Sequence, residues 1–532
     1  MKYYISRFWL AISVSFYLFT PYLSRYTNET NRFIFHWTQE DLFSLLFCIV
    51  LLGTLFFVCF ILLYLKGSTF TRRSFEFSYI AIFGIALIGN VSHLVKSIAY
   101  HPPTYIVNLG FFAWFLMGGF MIWAVLKNSK KIKIFCITFC FISSPIIPIF
   151  TFNALGYKSF ISDIGSIPIA SETKNQNPRD KMNVYIFIFD EWSYQRSFNN
   201  KELIPEFENL KHFADQAMVF HNAKSPWPDT FVSIPSILFQ TSLRFNLKEN
   251  QIGFQGKEFH PLNKINNIFH HARELGFYRA MVAGAVMPYG ELMGQSVNFC
   301  KAICDYKRFG DSFFNVAKYH LLTASLLLPA PFFHYQRKRI GSYFFNRFQI
   351  ERITITHKLF ETIVQNQTHP TFALFHYMIP HCPYIFNREG HKKLFAVYNH
   401  EELPNYYGNL AYLDRKIGEI IATLQKSNKF DNSLIIMTSD HSWRFDPDYD
   451  KTNWWWMFEK YHVPLFIKMP HQKSSIEIDS KFNTFRLGSF INKYLDGDLT
   501  LDEVKSLLSD EKYFTPDPLE QKFSRNLSED KR

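Results

Sequence analysis

Cysteine is scarce: the 532 residues include 7, and beyond the apolar first part of the chain there remain Cys300, Cys304 and Cys382. That excludes a fold stapled by disulfides, which needs several pairs in a short chain. Cys300 and Cys304 are close enough to pair in an oxidising compartment, and spacing alone leaves the pairing open. Internal repeats and low-complexity segments are also missing, so a repeat architecture is excluded. Excess positive charge is absent where a nucleic acid would need it. Of 57 Lys/Arg and 45 Asp/Glu, residues 1–152 hold 12 and 4, leaving 45 against 41 beyond. No nucleic-acid partner is expected. Nor does a small-residue cleavage site follow the first apolar run, which therefore reads as a retained helix.

Apolar residues are abundant instead, at 48% of the chain with 60 Phe, and they crowd the first 152 positions. Runs at Phe8 to Ser24, Asp41 to Leu65, Phe77 to Val95, Tyr105 to Leu126 and Ile132 to Phe152 each approach the ~20 residues that cross a bilayer. Five transmembrane helices are expected over residues 1–152. Lys2, Arg7, Lys66, Arg72, Arg73, Lys127, Lys130, Lys131 and Lys133 fall on one side, against Arg25, Arg32 and Lys96 on the other. Basic loops stay cytoplasmic, so with five spans everything after residue 152 is expected outside.

A polar stretch, 153–180, reads as a linker. From 181 to 498 short apolar runs alternate with helical patterns: strands at Asn183–Phe189, Tyr278–Ala285, Thr371–Tyr377, Ser433–Thr438 and His462–Lys468, helices at Asn263–Leu275, Ile350–Gln365 and Tyr407–Ser427. This is the pattern of an α/β fold with a largely parallel sheet. Residues 286–349 fit the alternation poorly and read as an insertion resting on the membrane, and 499–532 as a charged tail.

Three of these strands end in metal-ligand types: Asp190-Glu191, His381 beyond Tyr377, and Asp440-His441. Carboxylate and imidazole suit a divalent ion, zinc or manganese, and the ends of strands in one sheet can converge. Thr230 lies in Pro226-Trp-Pro-Asp-Thr-Phe-Val-Ser-Ile-Pro235, just before a buried apolar run, where a helix N-terminus favours an anion. It is the candidate nucleophile. Cys382, between His381 and a proline, reads as a packing residue.

These residues resemble the alkaline phosphatase and sulfatase superfamily, and within it the membrane-anchored bacterial phosphoethanolamine transferases and lipoteichoic acid synthases. The resemblance follows motif order from Asn183 to Pro470 and includes the five-span anchor. It implies a sulfatase-like α/β/α domain outside the bacterial inner membrane, in the periplasm. It assigns metal ligation to Glu191, with Asp190 as a second acid, and to Asp440 and His441. Thr230, three residues before Ser233-Ile234-Pro235, becomes the phosphorylated nucleophile and a further ligand. His376 lines the phosphate site and His381, five residues on, protonates the leaving oxygen; Asp414 in Tyr412-Leu-Asp414 also fits the family order. Arg444 is the candidate phosphate clamp.

The implied reaction moves a phospho-alcohol group, of phosphoethanolamine or phosphoglycerol type, from a phospholipid donor to an envelope glycan or lipid. The alternatives are a phosphate or sulfate ester hydrolase and a non-catalytic lipid-binding regulator. Two departures stand out. Ser442-Trp443-Arg444 replaces the usual glycine after Asp-His, and no cysteine pair flanks the nucleophile loop, which argues against lipid A as the acceptor.

Overall fold

The computed structural model describes residues 2–27, 39–66, 164–167, 183–240, 244–248, 251–255, 259–261, 266–284, 289–303, 334–392, 403–444, 460–497 and 499–508, with isolated positions at 68, 134, 138, 313–314, 317–318 and 320–321. They form two compact units, Met1–Phe160 with Asp305–Arg337 and Ile161–Cys304 with Lys338–Arg532.

The first unit contains α1 (Lys2–Thr27) and α2 (Gln39–Lys66). Ser15 donates to the Ile49 carbonyl at 2.7 Å and Phe8 meets Phe57 edge-on at 5.3 Å, so the helices run antiparallel. They approach closely at Gly53, where an added Cβ would lie 2.6 Å from Ile12. Within α2, Asp41–Leu62 is long and apolar enough to cross a membrane, at ~1.5 Å per residue. In α1 the apolar stretch is shorter, Arg7–Phe16. The spans expected at 77–95 and 105–126 lie outside the described residues, as does 132–152 apart from positions 134 and 138. Phe313, Ala317 and His320 pack on the first half of α2: Phe313 on Phe47 at 5.4 Å, Cys48 Sγ to the Ala317 carbonyl at 3.3 Å, and His320 Nε2 to the Asp41 carbonyl at 3.1 Å.

In the second unit the main elements are, in chain order, β1 (Asn183–Phe189), α3 (Glu208–Ala214), β2 (Met218–Phe220), α4 (Thr230–Phe239), β3 (Tyr278–Ala283), α5 (Tyr289–Met293), β4 (Phe299–Ala302), α6 (His334–Asn366), β5 (Thr371–Tyr377), α7 (Leu403–Lys426), β6 (Ser433–Thr438), β7 (Leu465–Lys468) and β8 (Ile476–Ile478). Eight strands form one sheet in the order β4-β3-β5-β1-β6-β7-β2-β8, parallel except for the reversed β7. The five central runs legible in the sequence all appear in it, because β1, β3, β5 and β6 are buried on both faces and read as unbroken apolar stretches. Each large side chain so buried is worth roughly 1.5–3 kcal/mol. Phe187 stacks on Phe375 at 5.4 Å, and both meet Phe360 of α6 edge-on.

Part of the segment expected as an insertion returns to this sheet, since β4 is its edge strand. Four residues with a lysine among them carry too little periodicity to be read as a strand. Cys300 sits there fully buried, while Cys304 lies outside the described residues.

Strand register sets the position of the acidic residues. Ile188 of β1 pairs with His376 of β5 and with Thr438 of β6. The chain two residues past Ile188 and two past Thr438 therefore brings Asp190 and Asp440 level at the carboxyl edge of the sheet, where α/β folds place ligands.

Candidate active site

Thr230 is the first residue of α4, capped by Asp229, whose carboxylate accepts from the Val232 N–H at 3.1 Å. Apolar residues Ile234, Ile237 and Leu238 bury the helix and leave its N-terminus at the sheet edge. There Thr230 Oγ1 lies 3.4 Å from Asp190 Oδ1 and 3.3 Å from His441 Nε2. Asp190, Asp440 and His441 bring one ligand atom each within 4.8 Å of one another. His376 joins them, with Nε2 3.7 Å from Asp190 Oδ2.

The expected ligand set is divided by the fold. Glu191 belongs to a second group with His381 and Cys382. Its Oε1 accepts from Arg444 Nε at 3.1 Å and its Oε2 is 4.0 Å from His381 Nε2, which is 3.2 Å from Arg444 Nη2. Asp190 and Glu191 are adjacent, and the left-handed φ of 67° at Glu191 turns the chain between them. Such a conformation costs a non-glycine residue about 1–3 kcal/mol and concentrates at functional sites. The Glu191 carbonyl is held by the Tyr406 hydroxyl at 2.7 Å, and that hydroxyl accepts from the Ser193 N–H at 3.0 Å. Asp414 lies outside the site: it caps α3 through Leu210 N and Asn209 Nδ2, both at 2.8 Å.

Loops hold the ligands by backbone bonds. Asp440 Oδ1 accepts from the N–H groups of His441 at 2.9 Å and Glu191 at 3.2 Å, and Ser233 Oγ donates to the Asp440 carbonyl at 2.5 Å. Ser439 Oγ donates to the Phe189 carbonyl at 2.6 Å and accepts from Trp192 N at 2.9 Å. Asn409 gathers the His381 loop, its Nδ2 reaching the carbonyls of Pro380, His381 and Pro383 at 3.1–3.2 Å. Trp443, two residues past His441, is fully buried, stacks on Tyr406 at 4.2 Å and donates to the Tyr384 hydroxyl at 2.6 Å. It fastens the strand-end loop while Arg444 turns to Glu191. Trp443→Ala is expected to cost about 3–5 kcal/mol in denaturant unfolding, the range for removing a buried aromatic.

Three atoms indicate what the centre is built for. Among the described residues, Asp440 Oδ2, Glu191 Oε2 and His376 Nε2 are buried with no hydrogen-bond partner. Burial, then the Asp440 and Glu191 carboxylates, raises Asp190 well above the usual carboxylate range. Burial pushes Asp440 up too, but His441 and His376 hold it below its ordinary value. Burial likewise opposes ionised Glu191, and Arg444, His381 and His441 together outweigh it. Burial lowers His376 to about 4. It also opposes charge on His381, yet Cys382 and Glu191 raise that imidazole to about 9. Three buried carboxylates around oxygen and nitrogen atoms left bare fit a divalent cation, and Asp190, Asp440, His441 and Thr230 supply a donor set suited to zinc or manganese.

A candidate metal-binding centre at the carboxyl edge of a mostly parallel α/β sheet, with a hydroxyl at a helix N-terminus, is an arrangement suited to hydrolytic and group-transfer chemistry. The family model described as Sulfatase matches residues 182–490, and the chain belongs to that family. No curated protein matches it. Solved structures similar to it include Ps i-CgsB in complex with k-i-k-neocarrahexaose (15% identity, 61% of this chain and 74% of that chain, TM-score 0.42). Others are the phosphonate monoester hydrolase of Agrobacterium radiobacter (15%, 61% and 77%, TM-score 0.40) and an alkaline phosphatase superfamily protein from Vibrio parahaemolyticus (13%, 63% and 70%, TM-score 0.37).

Sequence reasoning passed over Tyr289, which meets His376, and Tyr406, which holds Glu191. Neither lies in a motif, and Tyr289 fell in the stretch expected as an insertion.

Proposed function

We propose that this protein is a metal-dependent, membrane-bound transferase that moves a phosphoethanolamine- or phosphoglycerol-type group from a phospholipid to an envelope glycan or lipid. Thr230 supports the reading above all others, because its hydroxyl lies within 3.4 Å of both Asp190 and His441 at the start of α4. Asp190, Asp440, His441 and Thr230 would hold the ion, with Glu191 beside them. When bound, the ion lowers the pKa of the hydroxyl and offsets the carboxylate charge. Thr230 Oγ1, having released its proton to solvent, forms a bond to phosphorus as the bond to the lipid alcohol breaks, giving a phospho-threonine. His381, raised to about 9, carries the proton that the leaving oxygen takes. His376 faces a non-bridging oxygen, and Arg444, held by Glu191, presents its guanidinium at the mouth. An acceptor hydroxyl then displaces Thr230 by the reverse route.

Five membrane spans and a periplasmic active domain belong to the same proposal: the anchor keeps the centre beside its lipid donor. Hydrolysis is the second reading, favoured by the family match, since water can take the acceptor's place. Incubating the full-length protein with phospholipid vesicles, zinc and a glycan acceptor separates them. Transfer predicts a phospho-alcohol adduct on Thr230 by mass spectrometry and on the acceptor afterwards. Free phospho-alcohol with an unmodified acceptor means hydrolysis, and an unmodified Thr230 with no product refutes both.

A further inference from the structure

We propose that Tyr289 is a positioning residue that fixes His376 in the tautomer carrying hydrogen on Nε2, making His376 a hydrogen-bond donor to the bound anion rather than a metal ligand. The inference rests on reading the Thr230 centre as the place where that anion reacts. Tyr289 opens α5, and its hydroxyl lies 3.0 Å from His376 Nδ1, with the two rings at 84° and both side chains fully buried. Among the described residues His376 is the hydrogen-bond partner of the phenol. A buried O–H needs an acceptor, and an imidazole nitrogen accepts when its ring hydrogen is on the other nitrogen.

The far end of the ring favours the same arrangement. Among the described residues Nε2 is buried without a hydrogen-bond partner and faces Asp190 Oδ2 at 3.7 Å, an oxygen that stabilises a hydrogen on the facing nitrogen once Asp190 is ionised, as it would be with zinc bound. His441 is set the opposite way. Its Nδ1 lies 2.8 Å from the Ser442 carbonyl, which can only accept, so Nδ1 holds the hydrogen and Nε2 offers a lone pair toward Thr230. Two imidazoles in one centre thus take different roles from different partners. The Tyr289 hydroxyl, buried and raised well above its ordinary pKa first by burial and then by Asp440 and Asp190, keeps its proton throughout the working range.

The test uses full-length protein in detergent micelles labelled with [15N]histidine, His376 being assigned by the signals lost in His376→Gln. Wild type is expected to show a pyridine-type Nδ1 and a pyrrole-type Nε2, and Tyr289→Phe a mixture of tautomers. On a chromogenic phosphodiester with zinc, Tyr289→Phe is expected to lower kcat about 10- to 100-fold at nearly constant KM, with zinc content unchanged. His376→Gln keeps an N–H donor, so adding Tyr289→Phe to it should cost no more than about 2-fold. A pyrrole-type Nδ1 in wild type, or full additivity in the double variant, overturns the proposal. Wild type inactive on every ester would overturn the functional reading, and the tautomer measurement would then decide this inference alone. It also decides if Tyr289→Phe does not fold.

Discussion

Replacing Thr230 by alanine is expected to lower turnover by about four orders of magnitude or more while leaving the protein folded. Near the hydroxyl, Ser233 is engaged with the Asp440 carbonyl and is not free to take over as nucleophile. The helix keeps its cap in Asp229 and its buried face in Ile234, Ile237 and Leu238. Alanine at a half-buried first position should change stability by no more than about 1 kcal/mol. Envelope lipids and glycans compared by mass spectrometry between cells carrying wild type and Thr230→Ala supply the readout, with thermal unfolding of both proteins as the control. Thr230→Ser, which keeps the hydroxyl, should recover part of the activity. An unchanged envelope profile in the alanine strain would remove Thr230 from the chemistry.

The sheet was legible because its central strands are buried on both faces and bounded by polar ends, a pattern that survives without knowledge of pairing. Register was not. Nothing in the chain states that Asp190 and Asp440 stand level, which is evident only once Ile188 pairs with Thr438. The candidate residues were legible by type and by their place at strand ends. Their partition was hidden, because whether Asp190 or Glu191 faces His441 depends on one backbone dihedral. Arg444 illustrates the same limit: a guanidinium suits a phosphate, but that Glu191 holds and aims it is evident only in the fold. Edge elements such as β4 and β8 escaped because three or four residues with charges among them lack a period.

Metal-stripped protein is expected to lose the Asp190 contribution to its stability as pH rises, and Asp190→Asn to remove that contribution and zinc binding. Burial and two neighbouring carboxylates hold Asp190 well above its ordinary value of 3.8, the value it regains on unfolding. Between those limits the folded state binds a proton that the unfolded chain has released. The contribution of this group is therefore fully present below about pH 4 and drains away as pH rises through the folded pKa, at about 1.4 kcal/mol for each pH unit separating the folded and unfolded values. Asparagine carries no charge at any pH, so the variant should be flat with respect to this group. Zinc acts in the opposite sense, since it takes the place of the proton: at a thousand times its Kd it would stabilise wild type by about 4 kcal/mol. Asp190→Asn, lacking one charged ligand, should gain less than about 1 kcal/mol and lose turnover by roughly a thousandfold. Thermal unfolding of chelator-treated wild type and variant from about pH 5 to 8, with and without zinc, measures all of this. Identical pH profiles for wild type and variant would mean that Asp190 is not held protonated by its neighbours, and equal stabilisation of both proteins by zinc that it is not a ligand of the metal.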